Sequence, residues 1–328
     1  MKKYLLLINL IITFFLFLFC ALPVFAETNN LKAQFAVISE QTIWPVKGST
    51  NQDIISIFGP RSMSSDNRYD FHRGLDIAAE EGTKVKAVTD GVLFYMVTWE
   101  GAGNTVILQH EFQNPTYYHG RELKYYYTLY MHLSSTKYTE ADIGKTISAG
   151  KVIGYVGQTG NATTPHLHLE LRVGTWYELE TQLAYPSSQY SGFSFDPAVN
   201  PMLLFNPEEK NFSLSLTQAP TKKKDGQISC IFPDNQPLFN KVKIIIKDKA
   251  TKKIILQHVL NYNYRTGFDA TTNDALDTPD MTKPYIYPNY GSTSIIIPKD
   301  YIKNYLSDNY SRKLTVYDIW GRKLVVNL

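Results

Sequence analysis

The sequence predicts an all-β protein made of two successive β domains. From Trp44 to about Phe205, short runs of Val, Ile, Thr and Tyr alternate with Gly and Asp, which is typical of strands joined by turns. After Asn206-Pro207, six or seven further short runs fit a small β-sandwich of the immunoglobulin-like kind. Charge changes at the same point: residues 27–206 carry 13 Lys and Arg against 18 Asp and Glu, and residues 207–328 carry 18 against 12. This asymmetry indicates two domains with different partners.

The first 26 residues are predicted to be a secretory signal peptide. Two lysines precede an apolar stretch over residues 4–20, and Ala26 lies where a signal peptidase prefers a small residue. An uncleaved membrane anchor is the alternative, and a lipoprotein at Cys20 is disfavoured because the bulky Phe19 precedes it. We therefore expect export to the cell wall, the periplasm or the extracellular space, with no transmembrane helix in the mature chain.

The predicted organisation is a signal peptide (1–26), a polar lead-in (27–43), a first β domain (44–206) and a C-terminal β-sandwich (207–328). Cleavage would remove Cys20, which leaves Cys230 without a disulfide partner. An exported chain of this length does not need disulfides, because it can bury a full hydrophobic core. Cys230 is therefore expected to be a small buried residue.

Several turns and connections of the first domain are predicted from local pattern. Asp90-Gly91 stands between two apolar runs, which predicts a tight hairpin. Two long segments, 111–126 and 174–195, are rich in aromatic residues, mostly Tyr. Each is either a functional rim or a hairpin extension whose aromatic side chains pack on each other. Further strands are expected at 105–108, 127–131, 151–156 and 166–173.

The most informative motif is His166-Leu167-His168-Leu169-Glu170, taken together with His72-Arg73-Gly74-Leu75-Asp76. Residues two apart on a strand point the same way, so His166 and His168 share one face and the leucines point to the other. Imidazole and carboxylate are zinc-type ligands, and two imidazoles with one carboxylate leave a fourth position for water. Glu170 shares this face and is either a hydrogen-bond partner of a ligand or a plain surface residue.

Other catalytic and binding motifs are incomplete. His110-Glu111 resembles the start of a helical zinc-protease motif, but Asn114 stands where its second histidine belongs. The segment 144–151 resembles a phosphate loop with one residue too many and with Val152 in place of Ser or Thr. The lysine run 222–224 is more typical of a solvated loop, so no nucleic-acid partner is predicted.

Five motifs in the same order resemble the lysostaphin-type zinc endopeptidases, which hydrolyse peptide bonds of bacterial peptidoglycan. The motifs are Ile57-Phe58-Gly59-Pro60-Arg61, His72 to Ala78, Tyr130-Met131-His132-Leu133-Ser134, the segment 143–170, and Val199-Asn200-Pro201. The resemblance covers roughly residues 44–205. It implies the antiparallel β-sheet fold of that family, the duplicated hybrid motif, and one Zn²⁺ per chain.

The resemblance also implies roles for five residues. His72, Asp76 and His168 match the zinc ligands, and His132 and His166 match two further histidines of the active site. His166 is favoured as the base that acts on water and His132 as the stabiliser of the oxyanion or leaving amine, with the reverse assignment left open. The expected substrate is the peptide of peptidoglycan, in its cross-bridges or stem peptides. The long aromatic segments depart from a minimal family domain, which leaves substrate preference open.

Three alternatives stay open at this point. The chain could be a non-catalytic relative that regulates or scaffolds other wall hydrolases, although it keeps all three ligands and both histidines. The basic C-terminal region could bind anionic wall polymers or only pack on the first domain. Asn29 or Asn30 could reach the open metal position.

Overall fold

The computed structural model describes residues 30–47, 53–62, 69–118, 120–175, 198–205, 214–222, 226–233, 239–261, 282–289 and 292–328. The predicted signal peptide lies outside the described residues, as does nearly all of the aromatic segment 174–195. Within the described ranges, no helix is long and apolar enough to cross a membrane.

Strands dominate the structure, and they are numbered here in chain order. The helices are α1 (Leu31–Ile38) and α2 (Lys299–Ile302), with 3₁₀ turns at Ser39–Gln41, Glu140–Asp142, Pro201–Leu204 and Lys303–Tyr305. The strands of the N-terminal part are β1 (Ile54–Ser56), β2 (Gly59–Ser62), β3 (Tyr69–His72), β4 (Gly74–Ala78), β5 (Lys84–Lys86), β6 (Gly91–Trp99), β7 (Gly103–Tyr118), β8 (Arg121–Leu133), β9 (Ser135–Thr136), β10 (Thr146–Ile147), β11 (Val152–Tyr155), β12 (His166–Val173) and β13 (Ala198–Val199). The strands of the C-terminal part are β14 (Thr221–Lys222), β15 (Ile228–Pro233), β16 (Phe239–Asp248), β17 (Ile254–Asn261), β18 (Tyr285–Asn289), β19 (Ser292–Ile297), β20 (Tyr310–Asp318) and β21 (Lys323–Asn327). The prediction of a mostly-β protein with antiparallel sheets is confirmed.

The main sheet has the strand order β1-β4-β12-β8-β7-β6-β10, with β13 added beside β12. Its pairs are antiparallel. The strand predicted at 166–173 is β12, and its leucines Leu167, Leu169 and Leu171 are fully buried in the N-terminal core. The alternation of β12 therefore places the histidines on the opposite face of the sheet.

The hairpin predicted at Asp90-Gly91 is wrong. Strand β5 pairs with β11 in a separate three-stranded sheet, whereas β6 pairs with β7 and β10. The Asp90 carboxylate accepts a hydrogen bond from the backbone N–H of Ala149, at 2.7 Å. Asp90-Gly91 is thus a link between two sheets, because the backbone groups of β5 are satisfied by β11 and not by β6.

The segment 111–126 is a hairpin extension, as one of the two alternatives had it. Strands β7 and β8 remain paired from Asn104 and Leu133 out to Tyr118 and Arg121. Helix α1 covers aromatic side chains of this hairpin, among them Phe112 and Tyr126.

Helix α1 corrects the expectation of a polar lead-in. Leu31 and Phe35 are buried, and the ring of Phe35 lies edge-on to Phe112 at 5.7 Å and to Tyr126 at 5.4 Å. Asn30 exchanges backbone and side-chain hydrogen bonds with Tyr117, so it is bound to the hairpin and does not reach the metal position. Leu31, Phe35 and Ile38 face the core, but the helix has eight residues, which is shorter than the window over which a helical period is recognised in a sequence.

The C-terminal part is a sandwich of two four-stranded sheets, β14-β15-β19-β18 and β17-β16-β20-β21. Alternate residues of both sheets fill one core, and Cys230 is buried there as a free thiol, as predicted. The sequence pattern missed two strands. Strand β14 has only two residues, and β18 contains Pro288, which is tolerated because β18 is an edge strand.

The two parts of the molecule meet at the turn after β20. Ile319 belongs to the hydrophobic core of the N-terminal part, and Trp320 packs against that core. The Asp318 carboxylate holds this turn by accepting hydrogen bonds from the backbone N–H groups of Trp320 and Arg322, at 3.0 and 2.9 Å. The predicted boundaries of the two domains remain a prediction.

Candidate metal centre

Three side chains converge on one point beside the main sheet. Asp76 on β4 and His168 on β12 are directly paired neighbours in the sheet register, and His72 ends β3 just before β4. Nε2 of His72, Oδ1 of Asp76 and Nδ1 of His168 are separated by 2.7 to 3.1 Å. These three donor atoms could hold one metal ion. Two imidazole nitrogens and one carboxylate oxygen are a donor set that zinc accepts.

The tautomer of His72 is fixed from behind. Its Nδ1–H donates to the backbone carbonyl of Ile57 at 2.8 Å, with Ser56 Oγ at 3.2 Å. The lone pair of His72 Nε2 therefore points towards Oδ1 of Asp76 and Nδ1 of His168, the other two candidate metal-ligand atoms. A partner on the far ring nitrogen is the usual way in which proteins orient a histidine ligand.

Glu170 orients His168 from the opposite side. Nε2 of His168 lies 3.1 Å from Oε1 of Glu170, and Arg172 pairs with the other carboxylate oxygen at 2.5 Å. Glu170 is 5% exposed and Arg172 2%. Of the two alternatives for Glu170, the structure therefore supports the hydrogen-bond partner and not the surface residue.

Gly74 leaves room for the His168 ring. Gly74 pairs with Glu170 across β4 and β12. A Cβ atom at residue 74 would lie 2.4 Å from Nε2 of His168 and 2.8 Å from the backbone oxygen of Leu169. Any side chain here would displace the imidazole, which explains the glycine between His72 and Asp76.

The site is built to favour a positive charge. Burial opposes ionisation of Asp76, but the neighbouring His72 and a hydrogen bond from His168 hold the pKa of Asp76 well below its ordinary value. Burial also opposes a charged His168, yet Asp76 and Glu170 raise the pKa of His168 to about 9. Glu170 itself, despite burial, has its pKa lowered to about 2 by Arg172 and His168. Without a metal, a proton on the imidazoles balances the carboxylates, and a divalent cation can take the place of that proton.

His132 and His166 lie beside this cluster, and each is held through its Nδ1 by a backbone carbonyl. Their ring centroids are 4.9 Å apart, and that of His132 is 5.7 Å from that of His168. His166 Nδ1 donates to the carbonyl of Thr164 at 2.7 Å, and His132 Nδ1 donates to the carbonyl of Thr159 at 2.8 Å. Both histidines thus keep Nε2 available at the site, and all five predicted site residues are brought together.

The backbone of His132 is in the left-handed region, with φ of 61°. Such a conformation is unusual for a residue with a side chain and is often found at functional sites. Burial and the neighbouring His168 lower the pKa of His132 to about 4, so the imidazole is neutral at neutral pH.

Thr159 is a supporting residue that the sequence motifs did not reveal. Its Oγ1 donates to the carbonyl of Leu133 at 2.9 Å and accepts from the N–H of Asn104 at 3.0 Å, while its own carbonyl holds His132. Thr159 lies within the segment 143–170 that resembles the family motif, but only the tertiary structure shows that its carbonyl holds His132.

Residues 70–178 match the family described as Peptidase family M23. This segment is a family M23 peptidase domain. The lysostaphin-type resemblance is confirmed, and the M23 segment contains His72, Asp76, His132, His166 and His168.

The M23 domain has curated relatives of greater length. The DD-carboxypeptidase/endopeptidase Mpg of Neisseria meningitidis serogroup B is 38% identical over 120 residues, which are 37% of this chain and 24% of the relative. The peptidoglycan DD-endopeptidase ShyA of Vibrio cholerae is 36% identical over 121 residues, 37% of this chain and 25% of the relative. The chain therefore spans about a quarter of the length of these relatives.

The chain is also similar to a solved structure. The catalytic domain of the antimicrobial peptidase lysostaphin from Staphylococcus simulans is 29% identical, with a TM-score of 0.28, over 37% of this chain and 79% of that chain.

Proposed function

We propose that this chain is an exported, zinc-dependent endopeptidase that hydrolyses peptide bonds in the cross-bridges or stem peptides of peptidoglycan. The observation that carries the proposal is the convergence of Nε2 of His72, Oδ1 of Asp76 and Nδ1 of His168, with two further imidazoles beside them. The printed names of Mpg and ShyA, which describe DD-endopeptidases, support the peptidoglycan substrate.

Zinc held by these three side chains would supply Lewis-acid chemistry: it would lower the pKa of a bound water towards neutrality and would polarise the scissile carbonyl. We assign His166 the role of the base that takes a proton from water, with the reverse assignment of His166 and His132 as the alternative; the distance of 3.5 Å between His166 Nε2 and Asp76 Oδ1 supports a role for His166 beside the metal position. His132 is neutral at rest, with Nδ1–H committed to Thr159. Its Nε2 must therefore gain a proton before it can donate to the oxyanion or the leaving amine.

The proposal is tested by metal analysis combined with hydrolysis of purified peptidoglycan, with chelator and after zinc is restored. His72→Ala and His168→Ala should lose both zinc and hydrolysis. His132→Ala and His166→Ala should keep stoichiometric zinc while turnover falls by about 10²–10⁴-fold.

His258→Ala is the matched control, because His258 lies in the C-terminal sandwich. It should change neither zinc content nor turnover. A zinc-loaded wild type that binds walls without releasing peptide fragments would instead support a regulatory or scaffolding relative.

We also propose export through the segment 1–26 with cleavage after Ala26, which N-terminal sequencing of the secreted protein would test. For the C-terminal sandwich we propose an immunoglobulin-like topology. If β14 to β21 are read as strands A, B, C, C′, D, E, F and G, the two sheets have the orders A-B-E-D and C′-C-F-G.

A further inference from the structure

The outer face of the sheet β17-β16-β20-β21 carries five lysines. Alternate residues of β16, β20 and β21 fill the sandwich core, so the residues between them face outward. The register places two of the lysines in one row across the sheet, on either side of Tyr317, and one lysine in each of the next three rows. The five lysines are Lys241, Lys243 and Lys247 on β16, Lys313 on β20 and Lys323 on β21.

No carboxylate accompanies these lysines on the described part of the face. The remaining described outward residues are uncharged: Ile245, Ile254, Ile255, Gln257, Val259, Ser311, Thr315, Tyr317, Val325 and Asn327. The ion pairs described in this sandwich, Lys303 with Asp300 and Arg322 with Asp318, use none of the five. All of the charge on the described face is therefore positive and unpaired with acid.

The protection of sheet edges does not explain this arrangement. Lysines often guard edge strands against pairing with other chains. Here four of the five lie on β16 and β20, the two central strands. Lysine is also unfavourable in strands relative to β-branched residues, so four on central strands need another reason.

On the described part of the other outer face of the same sandwich, β15 and β19 carry no such charge. On β15 and β19 the outward residues Ser229, Ser294 and Ile296 are buried, and Ile231 is half-buried. The two faces therefore differ in both charge and exposure. Part of the positive charge excess of the C-terminal region therefore lies on the outer face of the sheet β17-β16-β20-β21.

We propose that this lysine face binds a linear polymer with repeating phosphate groups, of the kind attached to bacterial cell walls. Along β16 and across to β21 the five lysines cover about 20 by 10 Å, from the rise per residue and the strand spacing of a sheet. Repeating phosphate groups can contact several of these lysines at the same time. Lysine without arginine presents point charges and no bidentate fork, which suits a flexible phosphate chain recognised by charge.

The location of this polymer in the wall rests on the proposed peptidoglycan hydrolase function, but binding of a phosphate polymer does not. The face would hold the enzyme on the wall by many weak contacts while the M23 domain acts on peptide. Such binding must weaken steeply with salt, because each contact releases counterions.

The test measures binding of the full mature chain to long-chain inorganic polyphosphate at several salt concentrations. The variant Lys241→Gln/Lys247→Gln/Lys313→Gln/Lys323→Gln removes four exposed charges from the face. The control Lys84→Gln/Lys86→Gln/Lys137→Gln/Lys151→Gln removes four exposed lysines from the N-terminal part. The face variant should lose at least about tenfold in affinity, and the magnitude of its log–log salt slope should fall by about 2 to 3 if single-stranded polyanions are a guide. The control should stay within about twofold of wild type.

A second arm compares binding to bacterial walls that keep their phosphate polymers with walls from which acid has removed them, and to phosphatidylglycerol vesicles. Wild type should prefer the intact walls. Equal losses in both variants, salt-insensitive binding, or binding to vesicles and not to polyphosphate would overturn the proposal. Hydrolysis of soluble peptidoglycan fragments separates the two proposals, since it should be unchanged in the face variant and would be absent if the proposed enzymatic function were wrong.

Discussion

At the scale of single residues, the candidate site depends on groups behind the metal ligands as much as on the ligands. Backbone carbonyls of Ile57, Thr159 and Thr164 fix three histidines, and the Glu170 carboxylate fixes the fourth. Each partner takes one ring nitrogen and so determines which nitrogen faces the site.

The role of Glu170 leads to a prediction on metal affinity. Glu170→Ala should weaken zinc binding about 10- to 100-fold, because His168 loses its orienting acceptor. Glu170→Gln should weaken it less, since the amide oxygen can still accept from Nε2. Competition with a chromophoric chelator measures both. The exposed Glu122→Gln is the control, and wild-type zinc affinity in the Ala variant, shown to be folded by circular dichroism, would contradict the orienting role.

The pKa of His168 leads to a prediction on pH. In the metal-free protein this pKa is raised to about 9 from an unfolded value near 6.5. The stabilisation from the charged imidazole is therefore fully present below about pH 6.5 and is lost as pH rises through about 9. The melting temperature of the metal-free protein should fall across this window, and the zinc-loaded protein should not follow it.

The same protonation should appear in zinc binding. Near pH 7, binding should release protons, seen as a buffer-dependent heat in titration calorimetry. Buffer-independent heats would show that the imidazole is already neutral in the metal-free site.

At the scale of elements, the long hairpin β7–β8 and helix α1 form one unit. The hairpin projects beyond the sheet, and the helix covers the inner aromatic residues that the projection would otherwise expose. Asn30 binds the start of the helix to the backbone of Tyr117. Helix α1 is thus part of the folded core.

Truncation of Phe35 should show how far the stability of the fold depends on the packing of α1. Phe35→Ala should lower the free energy of unfolding by about 3 kcal/mol, because the ring is fully buried among aromatic partners. Val37→Ala, on the exposed side of the same helix, should change it by less than about 0.5 kcal/mol. Urea denaturation measures both, and equal effects would show that α1 does not pack as described.

At the scale of the whole molecule, the two parts contact each other where β18 lies against β2 and at the turn after β20, and this turn joins the hydrophobic cores. Ile319 leaves the sandwich and completes the N-terminal core, and the Asp318 carboxylate, fully buried, keeps the turn closed through its bond to Arg322 at 2.7 Å. The contact should couple the unfolding of the two parts.

Ile319→Ala should weaken that coupling and cost about 2 kcal/mol. Differential scanning calorimetry should show one transition for wild type and a broadened or split transition for the variant. Val325→Ala, an exposed residue of β21, should leave the wild-type profile unchanged. A wild type that already melts in two well-separated steps would show that the contact does not couple the parts.

The sequence by itself predicted the β class and the strand β12, because alternation is a local property of the chain, and the resemblance to the family motifs predicted the five site residues. It failed at Asp90-Gly91, where a local turn signal was overridden by pairing of β5 with β11, and at α1, whose eight residues are too few for a helical period to be recognised. Only the tertiary structure decided that Asp76 lies opposite His168, that Glu170 is buried behind it, and that five lysines share one face. Those facts depend on which distant strands pair and in what register, and pairing is decided by the packing of the whole chain.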